Sequence, residues 1–278
     1  MVSPSLQAAW NWQISVMTNR YMDTLYSNCR RLAYVMVTGI LLYQYTVLSA
    51  PASAEAHAQV PAFTARYTLT KGNMTIGTRQ LKFSRDLPGE YEFISTTKTT
   101  GIAAIFNNDK IHESSLGAYD GGIIVPRQYH YQHTGKKKDR QVKIKFDWDV
   151  LKATNIIGSK PWSMPVVKGT QDKLVYLISM MQDLMDNHRQ FQYRVADGGK
   201  LKTYRFKILG KEKVTTPIGE FSAIKIKRIR KDNKRSTLIW CADQLHYLPI
   251  KIEQRKKDGT PYTMLLEQLS GLGINTRP

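Results

Sequence analysis

Cysteine is nearly missing from this chain. Cys29 and Cys241 are the only two, so no disulfide framework and no thiolate metal cluster can hold the fold together. Histidine is almost as scarce. No two of the six stand four apart, as metal ligands on a helix would, and His130 and His133, three apart on an expected strand, point to opposite faces. Glycine-rich phosphate loops and the Gly-x-Ser-x-Gly turn of acyl-transfer enzymes are also lacking. No βαβ rhythm appears, which argues against a nucleotide-binding α/β fold. Carboxylates are outnumbered, 22 Asp+Glu against 41 Lys+Arg, leaving a net charge of +19. These absences predict no metal, no cofactor and no catalytic residue that can be named.

What is present begins with an ordinary globular composition: 42% hydrophobic, 23% charged and 10% aromatic residues over 278 positions. That excludes a disordered chain, a collagen-like fibre and a multi-span membrane protein. Arg30 and Arg31 precede the apolar stretch Leu32–Leu48, and Ala52-Ser53-Ala54 follows. A basic region, an apolar region and a small-x-small site make a secretory signal peptide. Residues 1–54 are read as that signal, with initiation at Met17 or Met22 accounting for an over-long start. The alternative is an uncleaved anchor holding the protein at the membrane, facing away from the cytoplasm. Residues 1–54 carry three basic and one acidic side chain, so nearly all the excess charge stays with residues 55–278. After export, the polyanions at hand are lipid headgroups and envelope polymers rather than nucleic acid.

Residues 55–278 read as a single β-rich domain with its core over about 62–270. Period-two alternation runs through Phe63–Thr70, Thr75–Arg85, Tyr91–Thr99, Gln128–His133 and Gln141–Trp148. It resumes at Phe191–Val195, Lys202–Leu209, Phe221–Arg230, Ser236–Trp240, Tyr247–Gln254 and Tyr262–Leu269, with turn residues between. Val142, Ile144, Phe146 and Trp148 would face inward, and Lys143, Lys145 and Asp147 outward. One segment, 172–187, changes to helical spacing, with Asp172 in its first turn, and Ile102–Phe106 could form a short helix or turn. The expected fold is mostly β: a large curved antiparallel sheet, an open barrel or a sandwich-like meander, with one amphipathic helix on the concave side.

Several short motifs occur in order: Ser114-Ser115-Leu116-Gly117, Val125-Pro126-Arg127-Gln128-Tyr129, Phe146-Asp147-Trp148 and Gln171-Asp172. Gly210-Lys211-Glu212, Thr216-Pro217-Ile218-Gly219-Glu220-Phe221, Trp240-Cys241-Ala242-Asp243 and Tyr247-Leu248-Pro249-Ile250-Lys251-Ile252 continue the series, and Asp258-Gly259 closes it. In this the chain resembles a family of exported Gram-negative bacterial proteins catalogued as a domain of unknown function (DUF3108-like). The resemblance implies a periplasmic, mostly β protein and supplies no activity. Pro217, Gly219 and Pro249 read as turn or bulge residues, and Trp148 and Trp240 as core anchors.

Catalytic readings are weak. Cys241, Asp243 and His246 need a turn to converge, and Glu90, Glu92, Glu113, Asp120, Glu220 and Glu253 are expected at turns and solvent faces. The basic clusters carry more information. Lys136, Lys137, Lys138, Arg140, Lys143 and Lys145 lie in or after one turn, and Lys225, Lys227 and Arg228 on a later strand. They predict a cationic rim, with Met181 and Met185 on the helix lining an apolar groove. The expected function is a non-enzymatic periplasmic envelope protein binding an anionic lipid, glycolipid or envelope polymer, with peripheral membrane contact. Two alternatives stand beside it: an adaptor docking another envelope protein, and a hydrolase of an envelope polymer.

Overall fold

The computed structural model describes residues 59–276 apart from 102–103, 105–107, 121–122, 136–138, 231–234 and 257. The expected signal peptide, most of the short 102–106 segment, and Lys136, Lys137 and Lys138 lie outside the described residues.

Eight strands come before the helix: β1 (Phe63–Lys71), β2 (Met74–Ser84), β3 (Glu90–Thr99), β4 (Lys110–Asp120), β5 (Ile123–Thr134), β6 (Arg140–Asp147), β7 (Lys152–Ile157) and β8 (Lys160–Pro165). The two-residue strand β9 (Gln171–Asp172) leads into helix α1 (Tyr176–Met185). Then follow β10 (Gln190–Asp197), β11 (Lys200–Thr216), β12 (Gly219–Ile229), β13 (Arg235–Ala242), β14 (Leu248–Lys256), β15 (Pro261–Gly271) and β16 (Ile274–Thr276). Every hairpin pairs with its neighbour, and β1 pairs with β15, so the sheet runs β8 to β1 and then β15 to β9. All ladders are antiparallel except β9 with β10, which is parallel and makes the sheet mixed.

The alternation in the sequence explains the strands. In β6, Val142, Ile144 and Phe146 are buried while Lys143, Lys145 and Asp147 are exposed, the half-solvated pattern of an antiparallel sheet. Between β11 and β12, Pro217 and Ile218 make the turn, and the Thr216 hydroxyl both donates to Gly219 O (3.0 Å) and accepts from Ile218 N–H (3.3 Å).

The sheet curls without closing. Its last strand in one direction, β8, is joined to β9 at the other edge by residues 166–170. The Trp162 indole on β8 donates to Gly199 O in the β10–β11 turn at 3.3 Å, so the two edges meet through a side chain rather than a ladder. Inside lies α1. Seven of its ten residues are buried, more than a one-sided amphipathic helix would show, because both halves of the sheet pack on it. Leu177, Ile178 and Met181 belong to one core cluster, with Phe63, Phe83 and Phe93. Met180 and Leu184 belong to another, with Phe191, Tyr193 and Phe206.

The helix begins later than its periodicity implies. Asp172 is not in its first turn but on β9, from where Oδ1 accepts the N–H groups of Leu174 (2.8 Å) and Val175 (2.9 Å). The Trp148 ring stacks on Phe146 and donates to Pro126 O at 2.8 Å, anchoring the end of β6. Trp240 is buried as expected, but on the face opposite its neighbour Ile239. There Lys225 and Lys251 lie 5.0 and 4.6 Å from its ring centroid, and its indole donates to Glu212 at 2.5 Å. Among the described residues no helix is long and apolar enough to cross a membrane.

Candidate binding site

Several strands aim polar side chains into the apolar interior. On β2, Arg79 shares the inward parity of Leu81 and Phe83. Its Nε donates to Ser95 Oγ (2.8 Å) on β3, and its Nη2 lies 3.4 Å from Glu113 on β4. Glu113 also accepts from the Tyr129 hydroxyl on β5 at 2.7 Å. The Glu113 side chain is only 13% exposed, so it is not the solvent-facing carboxylate that the sequence suggests. Burial and the Glu113 carboxylate both push the Tyr129 phenol far above its ordinary range.

Beside this row Ser115 donates to Asp172 Oδ2 at 2.5 Å and is bonded to the Tyr91 hydroxyl at 2.9 Å. Asp172 is wholly buried, and burial raises its pKa to about 6 even though the Ser115 hydroxyl and the Val175 and Leu174 N–H groups favour the charged form. Ser115 and Asp172 have no exposed surface, so this triad positions the start of α1 and offers nothing to a substrate.

The chain positioned by Asp172 supplies one wall of a cavity of about 240 Å³. Lys173, Tyr176 and Leu177 come from the approach to α1 and its first turn. Leu69 and Ile76 come from β1 and β2, and Ile239, Ile252 and Met264 from β13, β14 and β15. Three cations line this apolar floor: Arg79, Lys173 and Arg228. Among the described lining residues there is no carboxylate. The Arg228 guanidinium lies 3.3 Å from the Tyr204 ring centroid, a cation–π contact that fixes its plane. Thr237 also lines the cavity, 6% exposed, and its hydroxyl has no hydrogen-bond partner. Tyr262 stands among the lining residues with Lys256 and Lys71 4.5 and 5.8 Å from its ring centroid, and the hydrogen bond from Lys256 holds its phenol below the ordinary range.

The residues expected at the site are dispersed. Arg228 faces inward with Ile226 and lines the cavity, whereas Lys225 and Lys227, one residue to either side of Ile226, face outward. Lys225 pairs with Glu212 at 3.2 Å. Lys143 and Lys145 are exposed on the outer face of β6, and Arg140 borders a separate, more open depression with His133 and Gln141. Met181 is buried in the core beside a void of about 10 Å³, and Met185 is half-buried at the end of α1. A single cationic rim joining these positions is therefore not formed by the described residues.

Arg79 and Lys173 are cavity residues that composition and clustering do not single out. For Arg79 the signal was available: a charged residue at the inward parity of a strand is a buried cation by position. Lys173 carries no such mark, because the chain there is neither strand nor helix. The Cys241 thiol is pushed up by complete burial and Asp243 is paired with Lys211 at 2.6 Å, so the Cys241, Asp243 and His246 set offers no activated nucleophile. No group of His, Cys, Asp and Glu among the described residues could hold a metal ion.

The family model for proteins of unknown function DUF3108 matches residues 63–267. No curated protein matches the chain. Among solved structures, a β-barrel-like protein of the domain of unknown function DUF1849 from Brucella abortus superposes with a TM-score of 0.53 at 9% identity, covering 78% of this chain and 100% of the other. A chain from Parabacteroides distasonis, assigned provisionally as a lipoprotein, aligns at a TM-score of 0.30 and 12% identity over 78% and 98% of the two chains. The Brucella likeness agrees with the curled, open sheet and extends to the fold alone.

Proposed function

The chain belongs to the DUF3108 family of proteins of unknown function, and we propose that it is a non-enzymatic periplasmic envelope protein that binds an anionic amphiphile. The observation that carries this is the cavity: an apolar floor bordered by Arg79, Lys173 and Arg228, with no carboxylate among its described lining residues. Apolar area would supply affinity, and fixed cations would select the sign of the headgroup. The signal-like sequence at residues 30–54 and the net charge of +19 support placement among envelope polyanions. Outward Lys143, Lys145 and Lys227 could add about 1 kcal/mol each when close to an anionic membrane.

The alternatives have less support. A partner strand would need a free sheet edge, and the edge strand β8 carries Pro161 and Pro165, which remove two backbone donors. A polymer hydrolase would need carboxylates converging in a cleft, and none lines the cavity among the described residues.

The test is titration of the purified chain with cis-parinaric acid, an unbranched fluorescent fatty acid, followed by fluorescence. Saturable binding at one site, lost in Ile76→Trp with the circular dichroism unchanged, is expected, because Ile76 is a half-buried wall residue. No binding to the unaltered chain would overturn the proposal. Equal affinity in a folded Ile76→Trp would remove the cavity as its site.

A further inference from the structure

The polar groups of the cavity specify more than the sign of a charge. We infer that its occupant is a single-chain amphiphile ending in an oxyanion, a carboxylate or phosphate monoester, with the head clamped between Arg79 and Arg228 and the tail along Leu177, Ile252 and Met264. This rests on the binding reading above and names the ligand class.

The two guanidiniums reach the cavity from opposite halves of the chain, on β2 and β12. Each is held before any ligand arrives, Arg79 by Ser95 and Glu113 and Arg228 by the face of Tyr204. A fixed planar fork recognises carboxylate or phosphate oxygens by paired hydrogen bonds, at little cost in ordering. Glu113 pairs with only one of the cavity's cations: Lys173 acts on Asp197 at longer range and lies 5.5 Å from the Tyr131 ring centroid, and Arg228 makes no ion pair with any described residue. A second observation points the same way. The Thr237 hydroxyl is nine-tenths buried, lines the same cavity and has no partner, an arrangement that costs stability unless an occupant supplies an acceptor.

Size limits the tail. At about 240 Å³ the cavity is smaller than the roughly 300–1,000 Å³ that holds a drug-sized molecule, so it accommodates one chain and no second. Leu177, Ile252 and Met264 line both this cavity and the smaller void beside Phe63, Phe93 and Met181. They form a continuous apolar track away from the cations. Met181, unbranched and adaptable, is the residue there able to yield to a longer chain.

Competition against cis-parinaric acid tests this with dodecanoate, dodecyl phosphate, dodecanol and didodecanoyl phosphatidic acid. Both single-chain anions are expected to bind at least about tenfold more tightly than dodecanol. In Arg228→Gln the anions should weaken by about tenfold to a hundredfold with dodecanol unchanged, and Arg228→Lys should fall between. The tighter of carboxylate and phosphate identifies the source as a free fatty acid or a lysolipid-type phosphate. Dodecanol binding as well as dodecanoate would overturn the headgroup clamp and leave the cavity reading intact. Stronger competition by the two-chain lipid would overturn the single-chain assignment. Failure of every probe, cis-parinaric acid included, would instead remove the binding reading itself.

Discussion

Asp172 shows how one buried carboxylate can organise a site that it never touches. One oxygen receives Leu174 and Val175 N–H, the other receives Ser115 O–H, and the chain so held carries Lys173 and Tyr176 into the cavity wall. Burial still dominates, raising the pKa from 3.8 to about 6. The folded state therefore holds a proton that the unfolded chain has released between those values. Stability from this group is highest below pH 4, declines as pH rises to about 6, and is lower above that by on the order of 3 kcal/mol. Asp172→Asn keeps an oxygen for the two N–H groups and places an amide N–H₂ against Ser115, which can accept. It should be at least as stable as the parent in urea unfolding at pH 7, with the difference vanishing below pH 4. Asp172→Ala removes the acceptor and should lose about 1–2 kcal/mol. An Asn variant clearly weaker than the parent at pH 7 would contradict this account.

At the scale of elements, β4 is the instructive strand. Its pairing with β5 shifts register between Leu116 and Gly117, and a Cβ on Gly117 would strike Val125 O and the Pro126 Cα. Both contacts are backbone, so no side chain can move aside. Gly117→Ala should cost about 1–3 kcal/mol by forcing the two strands apart, read as a lower urea midpoint; an unchanged midpoint would show that the bulge can relax. Besides the very short β9 and β16, period-two reading does not find β4, β7 and β8. Inward positions of β4 include Glu113, Ser115 and Gly117, and those of β7 include Ala153 and the fully buried Asn155, so polar and small residues break the alternation. Strand β8 is exposed along almost its whole length and has no apolar face to display. The helix was legible because its apolar spacing is strong. Its late start was not, since capping by Asp172 from outside the helix is decided by how β9 docks on β10.

Across the whole molecule, the seam between β1 and β15 joins the first strand to the last long one, pairing Phe63 with Gly271 and Lys71 with Tyr262. Among the described residues the sheet's halves are continuous only through that ladder, and β15 also pairs β14. A chain ending at Gly259 lacks β15 and leaves β1 and β14 with open edges. It should lose the cooperative thermal transition seen by circular dichroism; a retained transition would show that the first eight strands fold alone. In the intact chain α1 contributes to both core clusters, so Leu177→Ala and Leu184→Ala should each shift one shared transition downward, by about 2–5 kcal/mol at these buried positions. Two separated transitions would mean that the clusters unfold independently.

Local pattern determined the β class, most strand positions, the helix and the outward lysines of β6, because alternation and helical spacing are short-range properties of a chain with one wet and one dry face. It also marked the basic excess, although charge along a sequence does not say which cations meet. Tertiary structure decided that. Arg79 and Arg228 lie 149 positions apart and border one cavity because β1 pairs with β15 and the sheet curls around a buried helix. Lys225 and Lys227, neighbours of Arg228 in sequence, face the other way because successive side chains on a strand point to opposite faces.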